Sequence, residues 1–296
     1  MAQIKPTGKL LVNEPIAKYT SWRVGGKVDR LYIPDDVSDL CSFLSTLDRE
    51  EKVYFIGLGS NILVRDGGVR GTVILVHNAL DTIRLESGLI YAEAGVTCAK
   101  LAKFSAKCAK QGAEFMAGIP GTVGGALAMN AGCYGGETWG IVEKVLTVDK
   151  DGNIHERKNS EYVASYRHID MPSPDEWFIA AWFRLDDGNS LESEKKIKEL
   201  LAKRLHSQPL NLPNAGSTFR NPEGDHAARL IEACGLKGYK IGGAQVSEKH
   251  ANFIVNLGDA TANDIEEIIG VMKAEVKTKF GVDLLQEVRV IGDKNE

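Results

Sequence analysis

Residues 117–137 read AGIPGTVGGALAMNAGCYGGE, and seven of these twenty-one residues are glycine, at 118, 121, 124, 125, 132, 135 and 136. Few folds tolerate so long a stretch with so little side-chain bulk. Glycine reaches positive φ without steric cost and lets another group approach the backbone closely. A tightly packed turn needs some glycines, but seven exceed that need, so the stretch is expected to face a bound ligand.

A second glycine turn stands upstream in FIGLGSNILV, with Gly57 and Gly59 two apart. It resembles the opening of a dinucleotide-binding fingerprint, but Ile62 or Leu63 occupies the third glycine position. The following ILVRDGGVRG turns twice before a helix can run. A Rossmann loop needs a helix N-terminus aimed at the pyrophosphate, and this sequence cannot supply one. What remains is a strand ending in a turn whose N–H groups, with Ser60 and Asn61, can cradle phosphate oxygens.

The chain's 296 residues favour two domains, with three small lobes also open. Lys5, Lys9, Glu14 and Lys18 break up any signal-peptide apolar region. No apolar run approaches the roughly 18–20 residues of a membrane span, so no membrane insertion is expected. The five cysteines are scattered and include no Cys-x-x-Cys pair. That speaks against a disulfide framework and a metal site, and for a reducing, cytoplasmic setting. A net charge of −4 gives no support for nucleic-acid binding. Residues 201–250 nonetheless hold seven Lys/Arg against four acids. That patch suits an anionic small molecule, although a solvated surface explains it equally well.

Elements alternate along the chain, and the class is α+β. Short apolar runs at 52–59, 71–76 and 88–95 read as strands. Residues 38–50 place Leu40, Phe43, Leu44 and Leu47 on one helical face. Residues 97–112 form a helix capped by Thr97, stacking Leu101, Phe104 and Cys108 and stopping at Gly112. A third helix, 192–206, turns Ile197, Leu200, Leu201 and Leu205 inward. Pro209 and Pro213 then break the chain and suggest a domain boundary. A short helix at 225–234 and strands within 244–256 follow. Ile265, Ile268, Ile269, Met272 and Val276 line a long helix at 262–279. The final DLLQEVRVIG alternates like a strand.

One more stretch carries chemistry: NAGSTFRNP, at 214–222. Ser217 is not in a Gly-x-Ser-x-Gly elbow, because Ala215 and Phe219 hold the glycine positions. The six histidines (77, 155, 168, 206, 226 and 250) offer no obvious base for a nucleophilic serine. On the residues alone, closing the turn by bonding to backbone is the plainer role for Ser217.

Taken together, GLGSNILVRDGGVRG, the glycine-rich stretch, SYRH, NAGSTFRNP and LLQEVRVIG resemble the UDP-N-acetylenolpyruvoylglucosamine reductase family, in its shorter subtype. The resemblance runs from YTSWRVGGKVDRLYIP at 19–34 to the last strand. It implies a vanillyl-alcohol-oxidase/PCMH-type FAD-binding fold of two α/β subdomains, expected at 1–75 and 76–205. A C-terminal α+β substrate-binding domain is expected at 206–296. The family holds FAD non-covalently and takes its electrons from NADPH. By position, Gly57, Gly59, Ser60 and Asn61 would hold the pyrophosphate. Gly118, Ile119, Pro120, Gly121, Thr122, Gly124, Gly125, Asn130 and Gly132 would line the pyrophosphate and flavin ring. Cys133 lies close by, in the role of a small buried residue.

The resemblance also implies a reaction: UDP-N-acetylglucosamine enolpyruvate becomes UDP-N-acetylmuramate for peptidoglycan synthesis. A hydride from flavin N5 adds to the β-carbon, and Ser217 protonates the α-carbon. Arg167 and Glu287 stabilise the enolate between those steps. Arg204, Lys240 and Lys249 are expected to touch phosphates, and Asn214 and Gln245 the sugar or uracil. A monomer is expected. Two positions depart from the family: Ile169 where a serine usually follows the arginine by two, and Gln286 where a proline commonly precedes the glutamate.

Overall fold

A computed structural model describes residues 5–295. The chain packs as two compact units, each assembled from separated segments. Unit 1 takes the described residues up to Leu11, then Arg30–Leu58 and Gly71–Lys203; unit 2 takes Val12–Asp29, Gly59–Arg70 and the chain from Arg204 onward. Consecutive segments divided at 75 and 205 do not capture this exchange, because 12–29 and 59–70 pack with the C-terminal third. The later division between the units falls at 203/204.

Unit 1 is organised around an antiparallel sheet of five strands in the order Ile154–Lys158, Val142–Asp149, Glu176–Phe183, Leu89–Glu93 and Ile83–Glu86. The central strand, EWFIAAWF, is apolar nearly throughout because both of its faces are covered. On one face lie helices α1 (Val37–Leu44), through Leu40 and Phe43, and the stacked Tyr32, whose ring sits 3.6 Å from that of Phe43. On the other lie α2 (Cys98–Lys107) and α3 (Val123–Ala128), whose apolar faces merge with Val145, Ala181 and Phe183. Val53–Ile56 runs parallel to Thr72–Leu75.

Thr97 caps α2 as expected, accepting the Lys100 N–H at 3.1 Å. The helix stops at Lys107, well before Gly112, because Ala109 adopts φ +52 and Lys110–Gln111 pairs with Asp186–Asp187 instead. Likewise α1 ends at Leu44, and two tighter turns carry the chain to Leu47. The fourth helix, α4 (Ser190–Ser207), buries Ile197 and Leu200, but Leu205 is 64% exposed rather than inward. The apolar stripe continues to Leu205 in the sequence, whereas the core it serves ends at Leu201.

Unit 2 contains α5 (Ala227–Ala233), α6 (Ala262–Phe280) and an antiparallel sheet of Lys240–Ile241, Ala244–Val246 and Ile254–Asn256. Thr261 and Asp264 close a reciprocal capping box on α6, and Gly281 ends it at φ +70. The predicted stripe of Ile265, Ile268, Ile269, Met272 and Val276 is buried. Each such side chain contributes about 1.5–3 kcal/mol of burial free energy before ordering costs. The last strand is shorter than its alternation suggests: Arg289–Ile291 pairs parallel with Ile62–Val64, and Gln286 forms a lone bridge with Phe219. Among the described residues no helix is long and apolar enough to cross a membrane.

Candidate active site

Several glycines of the 117–137 stretch are required by packing alone. A Cβ on Gly118 would lie 2.7 Å from the Tyr134 ring and 2.8 Å from Cys133 Sγ; one on Gly124 would lie 2.9 Å from Ala94 Cβ. One on Gly132 would meet the Gly136 carbonyl at 2.4 Å. Gly125 differs: it is exposed, and a Cβ there would meet only Thr122 Oγ1, at 3.8 Å. The bareness of the stretch thus serves close packing first and leaves an open face second.

Thr122 is buried at the start of α3 and sits against the upstream glycine turn, where a Cβ on Gly57 would fall 2.3 Å from its hydroxyl. Ile119 is half-buried, Pro120 exposed, and the Gly121 carbonyl accepts the Cys98 N–H. Cys133 Sγ donates to the Phe115 carbonyl at 3.0 Å.

In unit 2, Gly59 takes φ +59 and packs on the Tyr19 and Thr20 backbone. None of the described residues accepts from the N–H groups of Gly59, Ser60 or Asn61. The Asn61 side chain is spent on the Glu287 carbonyl at 3.2 Å. Successive unspent main-chain donors on a turn without bulk form an anion-binding nest, which fits a diphosphate.

Arg167 lies in unit 1 on a hairpin in which Val163–Ser165 pairs with His168–Asp170. Tyr166 and Arg167 form the connection, and Arg167 adopts φ +57, a region that costs an ordinary L-residue about 1–2 kcal/mol. Its Nη2 donates to the Gly132 carbonyl at 2.9 Å. Ile169, at the position of the family's usual serine, turns inward and is 7% exposed. Asn130 is 1% exposed and stands in a network with Glu137, Trp139 and Ser165.

Ser217 and Glu287 are brought together within unit 2. The Glu287 N–H donates to the Thr218 carbonyl at 2.9 Å, and the Arg220 N–H to the Leu285 carbonyl at 2.9 Å. Asn252 clamps the serine segment: its Oδ1 accepts from Phe219 N–H at 3.0 Å and its Nδ2 donates to Phe219 O at 2.8 Å. Its own carbonyl accepts the Thr218 N–H. Gly216 supplies φ +75 just before Ser217. The half-buried Ser217 hydroxyl bonds to none of the described residues. Gln286 Nε2 ties to the Val288 carbonyl at 2.8 Å, so this glutamine fixes the backbone beside Glu287 by a bond rather than by a ring.

Sequence reasoning missed two contributors here. Asn252 and the buried Thr218 carry no local signal, because their role depends on contacts 33 or more residues distant. Arg289 is exposed on the last strand, yet loss of surrounding water, then the nearby Arg220 charge, holds its guanidinium below its ordinary value.

Of the expected substrate contacts, Lys240 and Gln245 are cross-strand partners, although Gln245 Nε2 donates to the Gly238 carbonyl at 3.2 Å. Lys249 Nζ donates to the Leu205 carbonyl at 2.7 Å, beside Arg204, whose Nε donates to Gln208 Oε1 at 3.0 Å. The Asn214 amide is spent on the Pro209 and Leu212 carbonyls and the Gly216 N–H. It shapes the turn before Ser217 rather than offering an amide to a sugar.

Residues 28–157 match the profile of an FAD-binding domain family, and residues 208–291 that of the UDP-N-acetylenolpyruvoylglucosamine reductase C-terminal domain. The reductase of that name from Nitrosospira multiformis is 54% identical, covering 96% of this chain and 89% of its own length. That from Thiobacillus denitrificans is 52% identical, covering 97% and 93%. The crystal structure of the Thermus caldophilus reductase superposes with a TM-score of 0.82 at 32% identity, over 97% of this chain and 99% of that one.

Proposed function

The chain belongs to the UDP-N-acetylenolpyruvoylglucosamine reductase family, FAD-dependent oxidoreductases of peptidoglycan synthesis, and from that premise we propose how its own residues carry the reaction. The substrate is UDP-N-acetylglucosamine enolpyruvate, the reductant NADPH, the setting the cytoplasm and the working form a monomer. Unit 1 supplies Arg167 and the 118–132 backbone, and unit 2 supplies Ser217, Glu287 and the turn of Gly59, Ser60 and Asn61.

Gly57, Gly59, Ser60 and Asn61 hold the pyrophosphate through main-chain N–H groups, and the 118–125 backbone with Gly132 lines the flavin. Bound FAD supplies the hydride that adds to the enolpyruvyl β-carbon. Negative charge then spreads from the α-carbon into the substrate carboxylate, where Arg167 presents a planar, permanently charged fork. Glu287 joins Arg167 in stabilising the enolate. Such a carbon is basic enough to take a proton from a neutral hydroxyl at hydrogen-bond distance, and Ser217 gives it. Arg204, Lys240 and Lys249 receive the phosphates, and Gln245 the sugar or uracil.

The observation that supports this reading best is the Ser217 hydroxyl itself, clamped through its neighbours yet bonded to nothing in the described chain. In Ser217→Ala, anaerobic stopped-flow should show flavin bleaching by NADPH at the parent rate. Reoxidation by the enolpyruvyl nucleotide should slow by about 10²–10⁴-fold. Equal slowing of both half-reactions would remove Ser217 from the role of acid.

A further inference from the structure

Asn130 is placed where its side chain cannot serve a ligand freely. Its Nδ2 donates to the Ser165 carbonyl and to Glu137 Oε2, each at 3.0 Å, and its Oδ1 accepts the Trp139 N–H at 3.1 Å. Both donors of a carboxamide are thereby used, and one acceptor site with them. The residue is 1% exposed and adopts φ +40, a conformation that asparagine and aspartate tolerate better than other side chains.

Ser165 is the last strand residue before the Tyr166–Arg167 turn. Beyond that turn, the Arg167 guanidinium donates to the carbonyl of Gly132, two residues after Asn130. The turn is therefore fastened twice to one short segment, by its backbone to the Asn130 amide and by its guanidinium to the Gly132 carbonyl. The hairpin is anchored in the core through Ile169, but its turn, with Val163 65% and Tyr166 48% exposed, has little packing beside it to hold a strained arginine.

From this we infer that Asn130 is a positioning residue for Arg167, with Glu137 orienting its amide, rather than a side-chain contact of the flavin. The inference rests on the reading of Arg167 as the group that meets the substrate carboxylate. Misplacing such a group by about an ångström costs up to roughly a hundredfold in rate.

The test uses FAD-loaded Asn130→Asp, which keeps the acceptor for Trp139 and tolerates the backbone conformation but loses both donors. Glu137→Ala, at an exposed position, is the companion should the buried variant fold poorly. Expected are faster amide exchange confined to 163–170 and unchanged flavin reduction by NADPH. Reoxidation by the enolpyruvyl nucleotide should slow about tenfold to a hundredfold in Asn130→Asp, and less in Glu137→Ala. In an Arg167→Ala background, Asn130→Asp should cost nothing further in rate. Unchanged exchange at 163–170, equal slowing of both half-reactions, or full additivity with Arg167→Ala would each overturn the inference. If Arg167→Ala alone leaves reoxidation fast, the reading of Arg167 fails instead, and the exchange measurement still reports whether Asn130 holds the hairpin.

Discussion

Arg167 sits on a small hairpin whose strand residues Val163, Ala164 and Ser165 are all exposed, in a turn with a left-handed arginine. Ser217 is followed at once by Thr218 and Phe219, 0% and 1% exposed, and its neighbours bond to both Asn252 and the Glu287 backbone. The two regions show different ways of fixing a reactive group. A hydroxyl has one rotatable bond and short reach, so a proton donor must inherit its position from buried backbone. A guanidinium stands on a long arm and can be held by its own tip, here by the Gly132 carbonyl. Side-chain fastening replaces core packing where the backbone is thinly supported.

The largest effect that can break this comparison comes from Arg167→Ala. It should slow reoxidation by about 10²–10³-fold, as loss of a donor to developing negative charge does. The thermal midpoint should stay within a few degrees, read by differential scanning calorimetry. A collapse of stability would show that the hairpin is structural. Next in size, Asn252→Ala should cost about 2–4 kcal/mol in urea unfolding, since it strips two hydrogen bonds from the buried Phe219 backbone. Its activity should fall in proportion to folded protein.

Acid should act on both regions alike. Burial raises the carboxyls of Asp39, Glu114 and Glu176, but stronger opposing contacts hold all three below their ordinary values. Tyr32 and the Thr7, Asp35 and Gly8 N–H groups do so for Asp39. Ser193, backbone N–H groups and Lys196 do so for Glu114, and Arg157 with Thr147 for Glu176. A lowered folded pKa stabilises above the unfolded value and is lost as pH falls through the folded one. The loss therefore begins as pH drops past 4.5 for the glutamates and 3.8 for Asp39. All three lie in unit 1, but unit 2 holds its own: Arg65 keeps Glu266 on α6 low, and Arg229 does the same for Asp225. Amide exchange during acid titration should therefore loosen both units over the same range below 4.5; loosening of one unit alone would show that these carboxyls do not set acid stability. Smallest is Arg167→Gly, which relieves the turn and should raise stability by about 1 kcal/mol or less while reoxidation fails as in Arg167→Ala.

Much of this was readable from local pattern. The α6 stripe and the Thr97 cap follow from periodicity and capping chemistry, which act over a few residues. The roles proposed for the site segments followed from resemblance, because no spacing rule would assign Arg167 to an enolate. What escaped depends on distance along the chain. Leu205 continues a correct stripe past the end of its core. Asn214 turns its amide back on its own loop, and Asn252 reaches Phe219 across 33 residues. The glycine stretch was half understood: its bareness signalled close approach, but much of what approaches is the protein's own Tyr134, Cys133 and Ala94.

Trp22 is 0% exposed, donates its indole N–H to the Ile254 carbonyl, and accepts from Asn256 at its own carbonyl. Those partners are made 232 and 234 residues later. At translation rates of about 5–20 residues per second, a nascent chain carries this indole without its native neighbours for roughly ten to fifty seconds. Unit 2 can therefore close around this indole only after residues 254–256 have been synthesised.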